Sequence, residues 1–289
     1  MDDPSPGCFR DVRLHTDVAA ELEFFNDPLA ARDFIETGIV PLVRTLPPQL
    51  RLVDLGGGDG FLLEQVAQVL RGRGHHVHAL VVDANAGSLL RAQARGLDVL
   101  PGHLERLRLR PAQVFLMRLV NHYNGYARQL AIFSRVWESL TPGGYLILQS
   151  ETGSRSHCAY RNLVSQLLEN AKDGVSRAKK VRHWLPVETL VRILHRRGLQ
   201  IIQLEPRFLS FETRLRTLLQ LAWDRLHGFP MLPAELDLRE LAVTAALGIA
   251  QRHLLDSRVE GLSADAAGQL VLRTCHALIV ARKPPDSSS

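Results

Sequence analysis

Four of the five residues from Gly56 to Gly60 are glycine, within the stretch RLVDLGGGDGFLLEQVAQVL that runs from Arg51 to Leu70. An apolar run climbs into Asp54, breaks at the glycines, and resumes with apolar residues at helical spacing. A strand that passes through such a turn into a helix presents backbone N–H groups and a helix N-terminus at the carboxyl end of a sheet. Something must approach that backbone closely. Two further residues could do chemistry beside it. Asp83 closes the run HVHALVVD, and a carboxylate accepts two hydrogen bonds from a vicinal diol, although an aspartate there can equally cap the next helix. His122, in NHYNGY, carries a ring that titrates near neutral pH and can exchange a proton with a substrate.

The glycine spacing excludes two phosphate cradles. A dinucleotide fingerprint needs G-x-G-x-x-G, but counting from Gly56 or Gly58 puts Phe61 or Leu63 in the sixth position. A P-loop needs a closing Gly-Lys-Ser/Thr, which is absent. The pattern that fits is D-x-G-x-G-x-G, with Asp54, Gly56, Gly58 and Gly60 in place. This segment resembles the first motif of the class I S-adenosylmethionine-dependent methyltransferases, small-molecule type. The resemblance covers Arg51 to Glu151 well and WLPVETLVRILHRRGLQIIQLE more loosely; it includes the turn Pro142-Gly143-Gly144 before a fifth strand.

The resemblance implies S-adenosyl-L-methionine as cofactor. That molecule has no phosphates, so it asks for close backbone approach at Gly56, Gly57, Gly58 and Gly60 rather than a basic cradle. Asp54 would serve its ammonium end, directly or by holding the loop. Asp83, followed by Ala84, falls where the family's acid takes both ribose hydroxyls. Where the family often has an acid near the adenine, this chain has Gly102-His103-Leu104, so His103 or Leu104 is expected to flank the base. Arg118 could reach the cofactor's carboxylate; a surface arginine is the competing reading.

The acceptor should enter beside NHYNGY. His122 is the general-base candidate and Tyr123 its neighbour, with Glu151 and His157 also within reach of such a pocket. NHYN departs from the N-P-P-Y pattern of enzymes that methylate exocyclic base amines. The expected reaction is methyl transfer to O, N or C of a small molecule of natural-product type. An RNA-modifying methyltransferase and a non-catalytic S-adenosylmethionine-binding protein remain as alternatives.

These residues need a scaffold, and alternating strand and helix patterns predict an α/β fold. It is a Rossmann-like, seven-stranded, mostly parallel sheet with helices on both faces, plus N-terminal helices and a helical insertion before the last strand. The expected divisions are a helical cap over 1–48 and a core over 49–206 with a substrate-side insertion at 153–183. A helical lid follows over 207–267, then the last strand over 268–284 and a disordered tail over 285–289. Pro206 is expected to end the sixth strand. By resemblance, the final strand lies antiparallel beside the fifth. The one-faced stripe in TRLRTLLQLAWDRLHGF leaves a pocket closure or a homodimer open.

Composition adds bounds. A net charge of +5 with a pI near 9.4 is spread along the chain and reads as a solvated basic surface. The run SRAKKVRH (Arg177, Lys179, Lys180, Arg182) is a solvated helix face or a docking strip for an acidic or carrier-bound substrate. It lacks the interleaved aromatics of a nucleic-acid platform, so nucleic acid is not favoured as a partner. No apolar run reaches the ~20 residues that span a bilayer, and MDDPSPG does not read as a secretory leader. No membrane partner and a cytoplasmic location are expected. Cys8, Cys158 and Cys275 lie far apart, and His75, His76 and His78 lack a completing carboxylate or thiolate, so no metal is expected.

Overall fold

Apolar residues at alternate positions send each central strand's side chains into two separate cores. In the computed structural model, which describes residues 10–12, 26–170, 182–214, 220, 232–238, 262–264, 266 and 270–286, strand β2 (Gln49–Leu55) buries Leu50 and Leu52 on one face and Val53 and Leu55 on the other. A short β1 (Arg10–Val12) precedes it. Next come β3 (His76–Asp83), β4 (Asp98–Pro101), β5 (Ala112–Arg118) and β6 (Leu140–Glu151). The chain closes with β7 (Gln200–Arg214), β8 (Leu262–Ala264) and β9 (Leu270–Arg282).

The seven principal strands run in the order β4-β3-β2-β5-β6-β9-β7, with β1 on the outer edge of β7 and β8 paired to β9. Pairing is parallel throughout except along β9, which is antiparallel to β6, β7 and β8. The sheet is therefore the expected seven-stranded, mostly parallel one, enlarged by two short strands.

Helices cover both faces. On one lie α1 (Pro28–Gly38), α2 (Phe61–Arg71) and α3 (Ala86–Ala94), burying residues such as Phe34, Leu63, Val66 and Ala92. On the other lie α4 (Tyr126–Ser139) and α6 (Val187–Arg196), burying Ile132, Phe133, Leu190 and Leu194. Helix α5 (Arg155–Asn170) follows β6. Among the described residues, no helix is long and apolar enough to cross a membrane.

Two expectations change. β7 does not stop at Pro206 but continues to Arg214, with Pro206 opposite Ala277 and Arg214 opposite Val271. A proline is tolerated in a strand near a sheet edge where no N–H is needed, and only three-residue β1 lies outside β7. Residues 207–214 and 262–264 are thus strand rather than helix. β6 ends at Glu151 opposite His276, whereas the β7–β9 ladder continues to the Arg214–Val271 pair. A β arm therefore extends past the carboxyl ends of the parallel strands. Most of the stripe TRLRTLLQLAWDRLHGF, Trp223 included, and most of SRAKKVRH lie outside the described residues.

The start of α1 follows its sequence signal. Asp27 is the N-cap, its carboxylate accepting the Ala30 N–H at 2.8 Å, and Pro28 opens the helix. Asp27→Ala should lower stability by about 1 kcal/mol, the usual worth of such a cap. Urea unfolding with an unchanged slope would register it as a lower midpoint.

Candidate cofactor and acceptor site

The carboxyl ends of β2, β3, β4 and β5 meet at the glycine loop. Gly56, Gly58 and Gly60 all have positive φ, at 72°, 57° and 78°, a region that β-carbon-bearing residues resist. A Cβ on Gly60 would stand 2.4 Å from Leu97 Cδ1, one on Gly56 2.5 Å from Val120 Cγ2, and one on Gly57 2.6 Å from the Asp54 carboxylate. Gly58 differs, because no atom lies within 4 Å of its imagined Cβ. The loop is packed from below and open above.

Acids surround this loop. Asp83, half-buried at the end of β3, accepts the Gly58 N–H at 3.0 Å on one oxygen and the Asn85 N–H at 2.8 Å on the other. Each oxygen keeps a lone pair. The helix-capping reading falls to Asn85, whose side chain accepts the Ser88 N–H at 3.0 Å. Ala84 is exposed beside it. Across the loop, Asp59 accepts from Asn26 and Phe61 N–H, both at 3.2 Å. After β4, Gly102 donates to the Asp83 carbonyl at 3.0 Å; His103 is exposed and Leu104 half-buried at the start of a short 3-10 turn.

Beneath the loop lies Asp54, only 2% exposed. Burial pushes its carboxyl up to about 7, against the pull of Arg118 and with help from Asp83. Arg118, at the end of β5, is buried too, and its Nε donates to Gln149 Oε1 at 2.8 Å. Burial lowers its guanidinium to about 10, opposed by Asp54, Asp27 and Asp33. The next residue, Leu119, has φ 58°. A branched side chain in that region is strained, and such strain gathers at functional turns; here it aims the chain from β5 into NHYNGY.

That loop forms a 3-10 turn over Asn121–Tyr123, anchored by buried Gln129, whose amide donates to the carbonyls of Asn124 at 2.6 Å and His183 at 2.7 Å. His122 is 4% exposed and faces Glu151 across 3.4 Å, Nε2 to Oε2. The other Glu151 oxygen takes the guanidinium of Arg161 from α5. Trp184 stacks on the His122 ring at 5.5 Å and lies under the Arg161 guanidinium at 4.9 Å. Two reciprocal hydrogen bonds to Asn162 fix the Trp184 backbone. His276 stands opposite Glu151 in the β6–β9 register.

Charge in this cluster is ordered by burial. Burial would raise the Glu151 carboxyl, but Arg161, His122 and His276 outweigh it and hold it down at about 2. Burial lowers His122 to about 4 despite Glu151, with Arg182 and Arg161 adding to the drop. His276 falls to about 3, again chiefly by burial. At neutral pH the cluster holds one carboxylate, one guanidinium and two neutral imidazoles. Tyr123, 40% exposed, sits at the rim with the Arg182 guanidinium 4.8 Å over its ring.

The sequence-derived positions fall into two groups. Asp54, Gly56, Gly57, Gly58, Gly60, Asp83, Ala84, His103, Leu104 and Arg118 line the carboxyl edge from β2 to β5, while His122, Tyr123 and Glu151 gather beside it. His157 points elsewhere, its Nδ1 3.7 Å from Cys275 Sγ. Arg161 and His276 escaped the sequence reading, although a histidine within the apolar run TCHALIV was a visible signal. His75, His76 and His78 sit at the opposite, amino end of the sheet, lining an open cavity of about 650 Å³ with Arg51 and Arg71. No metal-binding group of three occurs among the described residues. Burial raises the Cys158 thiol to about 11, which removes it as a nucleophile.

No protein-family model and no curated protein sequence matches this chain. Solved structures do. A candidate methyltransferase from Bacillus halodurans aligns over 88% of this chain and 98% of its own, at 14% identity and a TM-score of 0.61. The YcgJ protein from Bacillus subtilis aligns over 87% and 100%, at 14% identity and a TM-score of 0.57. A candidate sarcosine dimethylglycine methyltransferase from Galdieria sulphuraria aligns over 89% and 86%, at 11% identity and a TM-score of 0.53. The fold is thus the Rossmann-like fold of class I S-adenosylmethionine-dependent methyltransferases.

The raised Asp54 carboxyl carries a signed consequence. Its folded pKa, about 7, lies above the ordinary 3.8, so the folded protein binds more protons than the unfolded chain between those values. Stability from this group therefore falls as pH rises from about 4 to about 7. Asp54→Asn should flatten that fall relative to wild type in unfolding measured across the window; parallel curves would remove Asp54 from the account.

Proposed function

We propose that the protein transfers a methyl group from S-adenosyl-L-methionine to a small-molecule acceptor. One observation carries the reading: a buried carboxylate, Asp54, lies beneath a loop whose Gly58 opens onto empty space. Burial raises this acid despite Arg118, and an amino-acid ammonium would supply the further cation that favours its ionised form. A pyrophosphate would meet three acids around the loop, Asp54, Asp59 and Asp83, and like charges at low dielectric repel strongly.

The residues fit the cofactor in sequence along the cleft. Asp54 faces the ammonium, Arg118 the carboxylate, and the backbone at Gly56, Gly57, Gly58 and Gly60 the aminocarboxypropyl chain. Asp83 takes the ribose hydroxyls, Ala84 leaves room beside them, and His103 and Leu104 flank the adenine. The cofactor supplies a methyl group already activated on a sulfonium. The chain's part is alignment, exclusion of water and removal of a proton where the acceptor has one. His122 is the residue for that last task, and Tyr123 borders the entry. Selectivity comes from the flanking segments 1–48, 153–183 and 207–267, and the setting is cytoplasmic small-molecule biosynthesis.

Calorimetric titration with S-adenosylhomocysteine tests the assignment. Wild type should bind, and Asp83→Ala, which keeps the fold, should bind about tenfold or more weakly, equivalent to ~1.4 kcal/mol. Equal affinity would refute the ribose role. For turnover, His122→Ala should lower the rate of S-adenosylhomocysteine release by ~10²–10⁴, the usual contribution of a general base, with cofactor affinity retained. A wild-type rate would remove His122 from catalysis.

A further inference from the structure

The amino end of the sheet, opposite the glycine loop, carries an open cavity of about 650 Å³. Strand register builds it. Gln49 pairs with His76, Arg51 with His78, and Leu52 with Val114, which brings Gln113 up beside Arg51. The Arg51 N–H donates to Gln113 Oε1 at 2.8 Å, leaving the amide NH₂ to donate elsewhere. Arg71 and His75 join from the end of α2 and the turn that follows it.

Charge is unbalanced here. Two arginines and three histidines line the cavity, and no carboxylate does. Some of these groups are engaged. Arg71 Nη2 donates to the Val77 carbonyl at 3.1 Å, His75 Nδ1 meets the Pro47 carbonyl at 2.9 Å, and His78 Nδ1 lies 3.1 Å from Asp98. Among the described residues, the side chains of Arg51 and His76 make no hydrogen bond or ion pair, and Arg51 Nε is buried without a partner. An unmet buried donor is costly, and the usual partner of a guanidinium, a carboxylate, is missing. An oxyanion laid against Arg51 would take that place, in the paired geometry that arginine offers to phosphate.

We propose that this cavity binds a small phosphate-bearing anion, held by Arg51 and Arg71 with further donors from His76 and Gln113. Other occupants fit less well. A metal ion would meet two guanidinium groups, and no metal-binding group of three occurs among the described residues. Single-stranded nucleic acid stacks its bases on aromatic side chains, and the lining has no Phe, Tyr or Trp. The volume falls within the ~300–1,000 Å³ of small-molecule sites. The C-terminal end of α2 would oppose an anion through open carbonyls. Those of Gln68, Leu70 and Arg71, however, accept from the N–H groups of Gly72, His75 and Gly74.

Calorimetry of the full chain with inorganic pyrophosphate tests this at physiological ionic strength, where scattered surface charge is screened beyond about 8 Å. Saturable heat is expected, with affinity about tenfold weaker in Arg51→Gln and in Arg71→Gln. Arg192→Gln, which removes the same charge from an exposed position on α6, should change it less than about twofold. Arg71 is exposed at the end of its helix, so its variant decides the matter even where Arg51→Gln disturbs β2. Binding should persist in excess S-adenosylhomocysteine, because the glycine loop lies at the other end of the strands. No saturable heat at millimolar pyrophosphate, equal affinities in Arg71→Gln and Arg192→Gln, or displacement by S-adenosylhomocysteine would overturn the site. A short single-stranded RNA should leave pyrophosphate in place at equal concentration; displacement by it would overturn the small-anion assignment.

Discussion

A carboxylate under a loop with no room for a β-carbon at Gly56, Gly57 or Gly60 is the constraint on which the molecule turns. Asp54 is placed there by the last turn of pleat in β2, which sends Val53 and Leu55 to one core and leaves the acid beneath Gly57. The loop must then rise over it with three residues at positive φ. Leu97 fills the space beside Gly60 and Val120 that beside Gly56, while nothing lies within 4 Å of the β-carbon position at Gly58. The same geometry that forbids a β-carbon at three positions leaves a fourth open, and that is how a fold built from hydrophobic layers makes a polar seat at its rim.

A second polar centre lies one strand further along, and its order comes from the sheet. β5 delivers His122 through a strained turn, β6 ends at Glu151, β9 places His276 across from it, and α5 returns Arg161. The four belong to separate elements, and burial decides their charges. One ion pair is retained while both imidazoles are left neutral. Buried ion pairs of this kind seldom add net stability, so its presence beside the glycine-loop cleft is better explained by function than by folding.

Much of the scaffold was legible in the sequence because its signals are local. Asp27-Pro28 announced a helix start, the glycines announced a turn of close backbone approach, and short apolar runs in β2, β3, β5 and β6 announced buried strands. The path of β7 was not legible. Pro206 reads as a terminator when the neighbouring strand is unknown, and only the pairing with β9 shows that the ladder continues. Arg161 was hidden for a related reason: its partner Glu151 lies ten positions back across a strand-to-helix turn, and no spacing rule links those positions. Glu151 and His122 were visible as candidates, but their mutual orientation exists only once β5 and β6 are adjacent.

The central claim is that the cleft above Gly58 seats an amino-acid-bearing nucleoside rather than a dinucleotide. Thermal unfolding with S-adenosylhomocysteine and with NAD, side by side, tests it most directly. A ligand at about a hundred times its dissociation constant adds ~2.7 kcal/mol to stability. The account predicts that S-adenosylhomocysteine raises the melting temperature in a concentration-dependent way while NAD leaves it unchanged. Stabilisation by NAD with none from S-adenosylhomocysteine would contradict it.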